Sequence, residues 1–126
     1  MGHSAIVNDL CFSDDGARLV SSSNDGTARV WDTGAGCAVC VHTFSTPMVR
    51  SVSLSNTGLL AVALRRDHEV RALASDTGQV AKVVHVDYPF RVRFAPAQPG
   101  AASNGDGTRL FFSQEGWPHQ LCSILV

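Results

Sequence analysis

The chain is short of charge, of aromatic side chains and of long apolar runs. Only 17% of its 126 residues are charged, and 10 basic residues against 11 acidic ones leave a formal net charge of -1. That balance offers no electrostatic hold on a phosphodiester backbone, which argues against a nucleic-acid partner. The longest unbroken apolar run is Leu59 to Leu64, far below the ~20 residues of a membrane-crossing helix. The first residues also lack the basic-then-apolar layout of a secretory leader. A soluble, cytoplasmic chain is expected. At 44% hydrophobic it is too apolar for intrinsic disorder, and its length allows one domain of the usual ~100 to 200 residues, or a piece of one. The four cysteines, Cys11, Cys37, Cys40 and Cys122, show no framework spacing, so reduced thiols are expected, with Cys37 and Cys40 buried.

What the chain does have is an internal period. Phe12-Ser13-Asp14-Asp15-Gly16 returns as Leu54-Ser55-Asn56-Thr57-Gly58, with Gly58 lying 42 positions after Gly16 (58 - 16). Asp25 maps onto Asp67 and Arg29 onto Arg71 at the same offset (67 - 25, 71 - 29). In a third, longer copy the motif recurs less exactly as Phe94-Ala95-Pro96, and Asp106-Gly107 closes its turn after an insertion near Ala97 to Gly105 that has loop composition.

Within each copy the runs are short, β-branched or aromatic, and broken by Gly, Asp, Asn or Ser, which predicts strands and leaves no room for a helix of ~10 residues. The expected strands are Ile6 to Phe12, Arg18 to Ser22, Ala28 to Trp31 and Ala38 to Phe44, then Val49 to Leu54, Leu60 to Leu64, Glu69 to Leu73 and Gln79 to Val86. Phe90 to Phe94, Arg109 to Ser113 and Leu121 to Val126 complete the set. Four-stranded antiparallel meanders repeating at about 42 residues are blades of a β-propeller. The fold class is thus all-β, a partial propeller of about three blades, at about 1–44, 45–86 and 87–126, the third incomplete. Packing on both faces of a blade would explain why Leu60 to Leu64 and Val83 to Val86 are apolar almost continuously instead of alternating.

The first copy reads Gly2-His3, Val7, Phe12-Ser13-Asp14-Asp15-Gly16, Leu19, Ser21, Ser23-Asn24-Asp25-Gly26-Thr27 and Arg29-Val30-Trp31-Asp32. Together these closely resemble a WD repeat. The resemblance implies a structural tetrad in which His3 bridges Asp25 and Ser21, and the Ser21 hydroxyl meets the Trp31 indole N–H. It also implies a non-catalytic scaffold for protein partners, without cofactor or metal. The second copy departs from the pattern: Leu73 stands in place of Trp31, Ala63 in place of Ser21, and only Asp67 survives. In the third, Gly116-Trp117-Pro118 lies in a turn and the closing tryptophan is absent.

One full repeat, one degenerate repeat, then Tyr88-Pro89-Phe90-Arg91-Val92-Arg93-Phe94 and Thr108-Arg109-Leu110-Phe111-Phe112 is also similar to the middle of the prolactin regulatory element-binding protein family. That second resemblance implies an exchange-factor segment working with a small GTPase of COPII transport on the cytosolic face of the endoplasmic reticulum. No catalytic residue can be carried over from it.

Other constellations favour bland explanations. Cys37 and Cys40 with His42 nearby suggest zinc, but a site needs about four ligands, and positions three apart on a strand face opposite ways. Asn104-Gly105-Asp106-Gly107 does not fit an EF-hand, Gly34-Ala35-Gly36 lacks the third glycine of a dinucleotide loop, and Asp14 and Asp15 suit a tight turn. Ser, His and Asp co-occur in the first repeat, but no strand–turn–helix presents a nucleophile. Arg65, Arg66 and His68 fall in a turn where partners bind in WD repeats, and could recognise a carboxylate or phosphate. Arg91 and Arg93 alternate with Phe90, Val92 and Phe94, placing charges on one strand face and apolar groups on the other. Since propellers close with about four to eight blades, the chain is expected to need further blades or self-association.

Overall fold

The computed structural model of the chain describes residues 2–95, 109–114 and 120–125. The insertion at Ala97 to Gly105, the Asn104 to Gly107 turn and Gly116-Trp117-Pro118 lie outside the described residues. Eleven strands form three antiparallel sheets in sequence order. The first holds β1 (Val7–Phe12), β2 (Arg18–Ser23), β3 (Thr27–Asp32) and β4 (Cys37–Thr43). The second holds β5 (Val49–Leu54), β6 (Leu59–Leu64), β7 (Glu69–Ala74) and β8 (Val80–His85), and the third β9 (Pro89–Phe94), β10 (Arg109–Gln114) and β11 (Gln120–Leu125). This is the all-β, blade-by-blade architecture of a β-propeller. Strand ends differ from the sequence expectation by no more than one residue, because apolar pattern fixes a strand's middle while turn hydrogen bonds fix its ends.

Two cores lie between the sheets. Val20, Ala28 and Val30 of the first sheet pack on Val49, Val52, Leu60, Val62, Leu64 and Leu73 of the second. Ala61, Ala63, Val70 and Val86 pack on Val92, Phe94, Leu110 and Phe112 of the third. Strand β6 therefore feeds both: Leu60, Val62 and Leu64 go one way, Ala61 and Ala63 the other. An unbroken apolar run is the pattern of a strand covered on both faces. The same explanation fails for Val83 to Val86. Strand β8 is the outer strand of its sheet and mostly exposed, with Val83 at 42%; only Val86, in the link after it, is buried.

Pairing also corrects the alignment of the copies. Ser21 pairs with Leu10, whereas the residue paired with Val52, the counterpart of Leu10, is Val62. The second copy is one residue shorter at the β5–β6 turn, closing Ser55 N–H onto Leu59 where Ser13 N–H closes onto Arg18. Val62, not Ala63, thus stands at the place of Ser21.

The innermost strands β1, β5 and β9 lie side by side, each with a register shift near its start, at Asn8, Arg50 and Phe90. A bulge re-aims the side chain of the extra residue. Phe90 accordingly leaves the apolar face expected for it and is 36% exposed, with the Arg50 guanidinium 4.4 Å from its ring centroid.

Candidate functional site

Four side chains of the first sheet form one hydrogen-bonded chain. His3 Nδ1 lies 2.9 Å from Asp25, His3 Nε2 lies 2.6 Å from Ser21 Oγ, and Trp31 Nε1 donates to the same oxygen at 2.9 Å. A carboxylate only accepts, so Nδ1 carries the proton, Nε2 accepts from the Ser21 hydroxyl, and Ser21 accepts from the indole. Proton direction is fixed along the whole chain. Burial works to raise the Asp25 pKa, but hydrogen bonds from Thr27, His3 and the Ser4 and Thr27 amides outweigh it and hold the carboxyl well below its usual range. The serine is spent between imidazole and indole, so this Ser, His and Asp set braces strands and presents no nucleophile.

A second polar set, which the sequence reading missed, joins the three innermost strands. Asp9 on β1 accepts from Ser51 Oγ at 2.5 Å, from the Val52 amide at 3.2 Å, and from both terminal nitrogens of Arg93 at 2.8 and 3.0 Å. Ser51 and Ser53 on β5 in turn accept from the amides of Val92 and Phe94 on β9. Each inner strand thus offers side-chain oxygens to the backbone of the next, stitching sheets that share no backbone ladder. Burial pushes the Asp9 pKa up, but the Arg93 and Ser51 hydrogen bonds more than offset it, and the net shift is downward. Arg93, expected simply to alternate with apolar neighbours, is the cation that ties the first sheet to the third.

The turn end of the blades carries the third feature. Arg65, Arg66 and His68 of the β6–β7 turn meet Met48 of the β4–β5 link and Tyr88 of the β8–β9 link around an open depression. The His68 and Tyr88 rings stand edge to face at 4.9 Å, and the Tyr88 amide donates to His68 Nδ1 at 3.4 Å. The Arg65 guanidinium lies 6.0 Å from the centroid of the Tyr88 ring. Met48, His68 and Tyr88 are the three non-glycine residues with positive φ among the described residues, at 68°, 55° and 50°. His68 occupies the position of Gly26, 42 residues earlier in the first blade, whose φ is 84°. Glycine adopts that conformation freely, while a side chain there costs ~1–3 kcal/mol. The sequence reading missed Met48 and Tyr88, although each is the residue just before an innermost strand, and that shared place was the available signal.

The cysteines differ from expectation. Cys37 is exposed, and Cys11 and Cys40 are half-buried, so none of these three is a buried core thiol. Cys40 Sγ sits 3.3 Å from His42 Nε2, but that nitrogen is also 2.9 Å from the Ser75 carbonyl, which can only accept. Nε2 therefore holds its proton and is no base for the thiol. Among the described residues no three His, Cys, Asp or Glu side chains group as metal ligands, and no helix is long and apolar enough to cross a membrane.

Comparison with known proteins agrees with this geometry. Residues 1–32 match the family model "WD domain, G-beta repeat". The chain is 35% identical over 98 residues to the nuclear distribution protein PAC1 of Komagataella phaffii, covering 75% of this chain and 20% of that one. It is 38% identical over 68 residues to the human WD repeat-containing protein 36, covering 53% and 7%. Among solved structures, hydrazine synthase of Kuenenia stuttgartiensis superposes with a TM-score of 0.76 at 15% identity, over 99% of this chain and 35% of that one, a likeness of fold alone. The chain spans about a fifth of the length of PAC1. It carries, in residues 1–32, a WD repeat, set in the blades of a β-propeller.

Proposed function

We propose that this chain is a non-catalytic protein-interaction module that meets its partners at the end of the blades bearing the β2–β3 and β6–β7 turns. The observation that carries the reading is the gathering of Met48, Arg65, Arg66, His68 and Tyr88 at that end. Backbone strain held at three of those five positions is retained where function requires it. The polar chains elsewhere are internally satisfied and brace the scaffold, and the likeness to WD-repeat proteins supports an interaction role. No observation favours the exchange-factor alternative over this one.

A photo-crosslinking amino acid placed at Tyr88, and separately at Asn56 on the opposite end, tests the reading in cells that express the protein. Protein adducts are expected from position 88 and not from position 56. Adducts chiefly from position 56, or from neither, would reject it.

A further inference from the structure

A blade has a backward face, toward the sheet before it, and a forward face, toward the sheet after it. Val52 and Leu54 of the second sheet, and Val92 and Phe94 of the third, lie on backward faces and pack into the two cores. Pairing gives Leu10 the same place in the first sheet, since Leu10, Val52 and Val92 lie opposite Ser21, Val62 and Phe112. Phe12, two residues on, takes the place of Leu54 and Phe94. Val52 and Val92 are fully buried, whereas Leu10 and Phe12 are exposed. The chain thus shows twice what covers this face, and both times it is the forward face of another sheet.

No sheet follows the third among the described residues. Val92, Phe94, Leu110 and Phe112 point back into the second core, so the residues between them point forward. There Arg91 is exposed, and Phe111 and Ser113 are half-buried around a shallow depression. By pairing, Phe111 and Ser113 stand where the first sheet has Val20 and Ser22, and Val20 is one of the residues that cover the second sheet.

These two faces also match at the backbone. The Val52 and Val92 amides donate to Asp9 and Ser51 on the forward face before them, at 3.2 and 3.1 Å. The Leu10 amide instead donates to Asp9 Oδ1 of its own strand at 2.9 Å, so it needs no acceptor from a neighbouring sheet. The third sheet offers none, because Arg91 holds the place of Asp9 and Ser51 and a guanidinium only donates.

We propose that a second copy of this chain covers the first sheet, laying the forward face of its third sheet, with Phe111 foremost, on Leu10 and Phe12. The contact is head to tail, and two copies that make it twice close a ring of six sheets, within the four to eight of closed propellers. Three strands of six residues present a face of about 20 by 15 Å. One contact between two such faces hides about 600 Å² and two hide about 1,200 Å², so the doubled contact of a ring reaches the size of a stable interface and a single contact does not. The ring uses sheet faces and leaves the turn end of the blades free.

Size-exclusion chromatography with light scattering on the full chain tests this by mixing variants. The parent is expected to run at twice the mass of one chain, with no larger species. Leu10→Lys and Phe111→Lys should each halve that mass, and mixing the two should restore the doubled mass, since each variant keeps the face that the other has lost. Circular dichroism shows whether each variant is folded; Phe12→Lys and Ser113→Lys place the same charge on the same two faces if either is not. A monomeric parent, or a ladder of ever larger species, would overturn the ring of two. A Phe111→Lys variant that stays dimeric while Leu10→Lys does not would mean that two first sheets pair with each other, and a mixture that stays monomeric would equally overturn the head-to-tail contact.

Discussion

At the scale of the residue, the Trp31, Ser21, His3 and Asp25 chain shows how a buried polar set fixes a structure. Ser21 stands between the His3 imidazole and the Trp31 indole, so deleting its hydroxyl strands both. Ser21→Ala should cost ~1–3 kcal/mol, seen as a lower urea midpoint with unchanged slope; no shift would mean that water replaces the hydroxyl. The pH dependence follows from the carboxylates. Asp25 and Asp9 both have folded-state pKa values below the ordinary one. Their contribution is therefore complete above the unfolded value of about 3.9 and is lost as pH falls toward the lower folded values. An Asp25→Asn variant should show a shallower loss of stability between about pH 4 and pH 2 than the parent, measured by acid titration of circular dichroism. His68 acts in the other direction. His68→Gly relieves a positive φ of 55° and should raise stability by roughly 1 kcal/mol, measured by thermal unfolding, even as it empties one wall of the depression.

At the scale of the element, strand β6 and the inner strands separate what pattern can and cannot reveal. The run Leu59–Leu64 announces its double burial because every position is apolar. Strand β8 carries Val80, Val83 and Val84 and looks alike, yet is exposed along most of its length. Nothing local tells an outer strand from a central one; that depends on whether another strand pairs beyond it. The bulges at Asn8, Arg50 and Phe90 were equally hidden, since one extra residue flips the faces of all that precede it. They place Asn8 against the Val49 carbonyl and Arg50 over Phe90, each touching the next blade. The Asp9 and Arg93 pair, joined at 2.8 and 3.0 Å, is the charged tie of this kind. A double-mutant cycle of Asp9→Asn and Arg93→Gln should give a coupling of about 0.5–3 kcal/mol. A value near zero would reduce the pair to a surface contact.

At the scale of the whole molecule, two apolar cores join three sheets, while the outer side of the first sheet is open. Ile6, Leu10 and Phe12 are 69%, 55% and 61% exposed. Val49 and Val52, 42 positions after Val7 and Leu10, are fully buried against the first sheet. The same strand face is thus covered in one blade and bare in the other. Contiguous apolar surface of this sort favours association, so the isolated chain should exceed its monomer mass in light scattering behind size-exclusion chromatography. Leu10→Lys with Phe12→Lys should shift it toward monomer, and a monomeric parent would show that this face is tolerated in water.

The likeness of the first copy to a WD repeat supplied the His3, Ser21, Asp25 and Trp31 set; the sequence by itself determined the strands, their grouping by a period of about 42 and the propeller architecture. Those rest on local pattern, turn chemistry and repetition, which a chain displays in its order of residues. Only the tertiary structure decided that Arg93 reaches Asp9, that Val62 rather than Ala63 takes the place of Ser21, and that Met48 and Tyr88 join Arg65, Arg66 and His68. Each of these depends on register and on the approach of segments far apart in the chain, and a one-residue change in a turn or bulge redirects every side chain beyond it.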